Sequence, residues 1–143
     1  MHPLRGHNYA EMFSFDVGWK QIQSYPSEYN QHIYCASIVY IKPKKSFYVV
    51  GGFDGDQQID IIAAYSTQWS HVGTLKSARD GHGTIWTGDA LIVVGGVGKP
   101  QSGITETCLM NSDGIFECET RQPQLFDDFL YPELFLVNID YCQ

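Results

Sequence analysis

The chain has 143 residues, a net charge of −7 and a pI near 5.0, with 43% hydrophobic and 14% aromatic side chains. That is the size of one ordinary domain, with enough apolar residues for a packed core. The acidic balance argues against nucleic acid and anionic membranes, which need a basic face. No stretch approaches the roughly 18 apolar residues of a membrane-crossing helix, so no membrane insertion is expected.

In chain order, residues 1–30 lack an apolar core after a basic start, so no signal peptide is expected. The chain is therefore read as cytosolic or as an internal piece of a longer secreted one. Within this segment, Asn8 to Ile22 reads as two strands, with Phe15 and Trp19 four residues apart. His32 and Cys35 follow. The run Phe47-Tyr48-Val49-Val50 then stops at Gly51-Gly52, which reads as a buried strand ending in a sharp turn. Phe53 to Gln58, with Asp54 and Asp56, is the connecting loop. Tyr65 and Trp69 repeat the four-residue spacing, and His82 lies thirteen residues after Trp69 as His32 does after Trp19. Arg79 and Asp80 fall in a turn over Ala78–Gly83. The run Leu91-Ile92-Val93-Val94 stops at Gly95-Gly96, 44 residues after the first glycine pair, and Val97 to Gly103, with Lys99, follows as a loop. Lys42-Pro43-Lys44-Lys45 occupies the extra length of the first copy as a loop between strands.

Ordered glycine pair, Tyr and Trp at a period of 44–50 residues resembles the kelch repeat. The resemblance covers nearly the whole chain. It implies an all-β fold: a fragment of a β-propeller with four-stranded antiparallel blades, divided as 8–30 (outer strands of a first blade), 31–74, 75–122, and 123–143 (inner strand of a further blade). In such a repeat Gly51, Gly52, Tyr65, Trp69, Gly95, Gly96, Trp19, His32 and His82 are structural markers. The second repeat departs from the pattern, with Cys108 near the Tyr position and Phe116 nearest the Trp. Blades stack on neighbours and a ring needs about four to eight of them, so open blade edges in this chain invite self-association.

Ser112-Asp113-Gly114 reads as a three-residue hairpin loop. Counting outward places Cys108 opposite Cys118 at a non-hydrogen-bonded position, where a disulfide can form. Two reduced, buried cysteines are the alternative. Secreted kelch proteins carry a similar pair across an outer hairpin, so the resemblance points to the disulfide and an extracellular setting. Cys35 and Cys142 are read as lying two blades apart and not bonded to each other.

The residues offer little chemistry. The histidines are scattered and no close cysteine pair exists, so no metal or other cofactor is expected. Asp54-Gly55-Asp56 lacks the full calcium-loop pattern and reads as a solvated turn. Arg79, Asp80 and His82 could form a base with an orienting carboxylate, but no nucleophile motif accompanies them, and His82 is read as a satisfied structural residue. The expected function is a non-enzymatic protein-binding scaffold, with rim loops bearing Phe53, Asp54, Asp56, Val97, Lys99, Arg79 and Asp80. The alternatives are a cytosolic kelch substrate adaptor of a ubiquitin ligase and a carbohydrate-active propeller enzyme.

Overall fold

The computed structural model describes residues 9–23, 33–99, 104–121, 130–134 and 136. The fold is all-β, a propeller fragment of antiparallel four-stranded blades. The first blade is a meander of β3 (Ser37–Ile41), β4 (Ser46–Phe53), β5 (Gln58–Tyr65) and β6 (Trp69–Thr74). The second is built from β8 (Gly83–Trp86), β9 (Ala90–Val94), β11 (Thr105–Met110) and β12 (Phe116–Arg121). The strands are β-branched and aromatic runs bounded by glycine and polar turns, as extended backbone favours. A separate hairpin, β1 (Tyr9–Ser14) with β2 (Gly18–Gln23), precedes them, and short β7 (Ala78–Asp80) pairs with β10 (Val97–Lys99) at the base of the second blade.

The outer strands β6 and β12 touch in parallel over Phe116–Gly73 and Glu117–Thr74, joining the blades into one sheet of order β3-β4-β5-β6-β12-β11-β9-β8. Gly73 permits this approach, because a Cβ there would lie 2.8 Å from the Phe116 Cβ.

Register decides which faces meet. Directly opposed residues share a face, so Ile41, Tyr48, Val50, Ile62 and Ala64 turn toward the second blade. Leu91, Val93, Cys108, Phe116 and Cys118 turn back toward the first. These ten residues, with Leu75 from the connection after β6, make the core, and Phe116 sits edge-on to both Tyr48 (5.6 Å) and Trp86 (6.3 Å). The core is the blade–blade interface rather than the interior of either blade.

The cross-strand aromatic partner of Trp19 is Phe13, with ring centroids 5.4 Å apart, while Phe15 lies in the loop and is fully exposed. The position equivalent to His82 in the first blade is Ala36, because Ser37 opposes the residue before Gly51 as Gly83 opposes the residue before Gly95. His32 lies outside the described residues. Phe116, by contrast, faces the preceding blade as Trp69 does, since Trp69 shares a face with Tyr65 and Phe47, so it stands in for Trp on that surface.

Candidate functional site

The most constrained part of the molecule is the junction where the first blade hands over to the second, along Leu75–Gly83. Glu106 projects inward from β11, opposite Val93 and fully buried. Its Oε2 accepts the Lys76 amide at 2.7 Å and its Oε1 the Ser77 amide at 3.0 Å. Arg79, 1% exposed, donates from Nη2 to Glu106 Oε1 at 2.6 Å. Its Nη1 donates to the carbonyls of Gly95 (3.0 Å) and Ile104 (2.6 Å), and Nε to that of Ser77 (3.3 Å). Desolvation pulls the Arg79 pKa down and the Glu106 carboxylate opposes that pull. Both charges are thereby satisfied by each other and by backbone, as buried ions require.

The glycine pairs exist for the next turn. Gly51 has φ +55°, and a Cβ there would come 2.6 Å from the Arg79 carbonyl and 2.7 Å from His82 Cε1. Gly96 has φ +82°, and its Cβ would meet the Asp80 carbonyl at 2.5 Å. One glycine from each blade thus clasps the Asp80–His82 turn from opposite sides. No side chain fits and the left-handed backbone favours glycine. Gly52 packs instead against Ile33 and Tyr34 of its own blade.

His82 is 5% exposed, and neither ring nitrogen makes a hydrogen bond of ordinary geometry among the described residues. Burial, reinforced by the Arg79 cation, brings its pKa down to about 4; the nearby Val50 carbonyl offsets this only in part. His82 is thus a neutral ring wedged between the blades. Asp80 Oδ1 and Thr84 Oγ1 are likewise buried without a partner among the described residues.

A ladder across the inner rim was not foreseen. The Gly81 amide donates to the Cys35 carbonyl at 2.9 Å and the Tyr131 amide to the Gly81 carbonyl at 2.6 Å. All three residues are left-handed, with φ of 54°, 64° and 51°. Cys35 and Gly81 each lie two residues before an inner strand, β3 and β8. The Tyr131 ring passes over Gly81 and its hydroxyl reaches Cys35 Sγ at 3.4 Å, the contact that chiefly raises the tyrosine's pKa.

The expected binding loops separate into two kinds. Around Gly52, Phe53 and Asp54 are half-buried and Asp56 is exposed. Asp54 Oδ1 accepts the amides of Asp56 and Gln57, both at 2.9 Å, which hold its pKa below the usual carboxylate range and close the turn. Val97 and Lys99 lie in β10 rather than in a loop, and residues 100–103 are outside the described set. The Ala78–Gly83 turn is corrected as a docking loop: Arg79 is buried and consumed by Glu106 and three carbonyls, Asp80 is half-buried, and the turn is clasped by glycines.

Cys108 and Cys118 form a disulfide (Cα–Cα 3.9 Å) directly opposite one another in the register the hairpin loop implied. The Asn111 amide donates to the Ile115 carbonyl as the closing pair. Cys35 carries a free thiol, and Cys142 lies outside the described residues. Glu106 comes within 4.8 Å of both bridged sulfurs, but a disulfide and an arginine-paired carboxylate are poor metal ligands. No described helix is long and apolar enough to cross a membrane. The protein-family models include none that matches this chain, and no characterised protein matches it.

Proposed function

We propose that the chain is a protein-binding scaffold of kelch type, without catalytic activity, from an extracellular protein. The observation that carries the reading is the Cys108–Cys118 bridge inside the blade–blade core, which fits an oxidising compartment and disfavours a cytosolic adaptor. The titratable groups at the junction support it too. Arg79 and Glu106 are fully engaged with each other and the backbone, and His82 is shut away from solvent, which is the arrangement of a support rather than of a reaction centre. Among the described residues of the expected loops, Phe53–Asp56 offers a surface for a protein partner, with Phe53 as the apolar anchor.

Surface plasmon resonance of the purified chain against a panel of secreted and matrix proteins tests this. Saturable binding that Phe53→Ala with Asp56→Ala weakens tenfold is the expected result. Hydrolysis or oxidation of any member of a glycan panel, abolished by His82→Gln, would replace the scaffold reading with the enzymatic one.

A further inference from the structure

The inner rim carries rings and a carboxylate that neither the blade core nor the Arg79–Glu106 junction uses. Tyr34 exchanges both main-chain hydrogen bonds with Phe53, each 2.8 Å, which ties it to the end of β4. Cys35 follows it, and the ladder through Gly81 carries the tie across to Tyr131. The Tyr131 ring lies over Gly81, and its hydroxyl reaches Cys35 beside Tyr34. Backbone therefore fixes all of these positions, yet Tyr131 is 65%, Tyr34 52% and Leu130 45% exposed. Adjoining large side chains held in place in water mark a contact surface, and tyrosine is a frequent anchor there.

Charge says what the surface takes. Glycines clasp the backbone of the Asp80–His82 turn, but its carboxylate has work left. Asp80 is half-buried, and its Oδ1 has no hydrogen-bond partner among the described residues. It stands beside Gly81, under the Tyr131 ring, and adds to the rise in that hydroxyl's pKa. Arg79 is no partner for it, being held by Glu106 and three carbonyls. Asp56 and Glu133 are exposed on the flanking segments. No lysine or arginine occurs within residues 33–35, 53–60, 80–84 or 130–134. A guanidinium answers both demands, because its plane stacks on an aromatic ring while its N–H fork meets a carboxylate; a lysine ammonium does only the second well.

We propose that this rim binds an arginine side chain of a partner protein, with the guanidinium between the Tyr131 ring and the Asp80 carboxylate and with Tyr34 and Leu130 flanking its stem. That the arginine comes from a protein rests on the scaffold reading; the arginine site itself does not.

The test is titration of the 15N-labelled full chain with N-acetyl-arginine amide, followed by amide chemical shifts. Saturable shifts centred on Cys35, Gly81 and Tyr131 are expected in the millimolar range. N-acetyl-citrulline amide has the same shape without the charge and should bind at least tenfold more weakly. Asp80→Asn should weaken the arginine probe tenfold, whereas Asp113→Asn, which removes one charge at the distant hairpin tip, should not. Equal binding of the citrulline probe, an Asp80→Asn chain that binds as the wild type does, or equal losses in the two variants would overturn the proposal. If Asp80→Asn loses its folded spectrum, Tyr34→Leu with Tyr131→Leu carries the test: at least a threefold loss is expected, and unchanged affinity would overturn the site. The two readings fail separately. Arginine-specific shifts without any partner in the plasmon-resonance panel would keep the site and remove the scaffold, while a partner whose binding ignores Asp80→Asn would keep the scaffold and remove the site.

Discussion

At the level of single residues, Arg79 and Glu106 carry the most free energy. Removing one partner leaves the other buried and unpaired, which costs about 3–5 kcal/mol. Arg79→Met and Glu106→Gln should each lower the urea midpoint accordingly, and the double apolar replacement Arg79→Met with Glu106→Met should recover part of the loss, read by the same titration. His82 makes the protein acid-sensitive. Its folded pKa of about 4 lies below the ordinary 6.5, so above pH 6.5 the ring is neutral in both states. As the pH falls below 6.5 the unfolded chain takes a proton that the folded chain refuses, and stability drops, by on the order of 3 kcal/mol once pH 4 is passed. Urea titrations between pH 7.5 and 5, above most carboxylate titration, should show the decline in the wild type and a flat line in His82→Gln.

At the level of strands and turns, the glycine pairs and the hairpin disulfide make separate demands. Gly96→Ala places a Cβ against the Asp80 carbonyl at a left-handed position, costing about 3 kcal/mol or more. Gly88→Ala, equally left-handed at φ +113° but with open space around it, should cost only about 1 kcal/mol. Thermal unfolding of the two variants separates packing from backbone strain. Replacing Cys108 and Cys118 by alanine should remove roughly 2–3 kcal/mol, measured the same way. The glycine pairs and the cysteine register were legible in the sequence because both depend on local counting: an apolar run stopped by glycine, and a hairpin loop that fixes which residues oppose. The buried ion pair was not, because Arg79 and Glu106 lie far apart in the chain and an arginine beside glycines looks like a surface turn. One signal was available. Glu106 alternates in phase with Cys108, Met110 and the inward strand positions, where a lone carboxylate needs a buried cation. The pairing of His32 with His82 failed because it was counted from a tryptophan across a connection whose length differs between repeats.

At the level of the whole molecule, the core belongs to both blades at once, so neither should unfold alone. Phe116→Ala empties the space between Tyr48 and Trp86 and should cost about 3–5 kcal/mol. Hydrogen exchange should then show amides of β4 and β9 losing protection together; loss confined to β9 would mean that the blades open independently. The rim ladder through Cys35, Gly81 and Tyr131 bears on how such an array grows. Three different residues occupy one backbone conformation, so the feature they share is the handedness of a turn and not the residue that makes it. Excising 35–80 would join Tyr34 directly to Gly81, a left-handed residue for a left-handed residue. Unequal recombination at that point can therefore lengthen or shorten the array by one whole unit without inventing a new joint, and lineages carrying this chain should differ in unit number more readily than in the length of the segment around that turn.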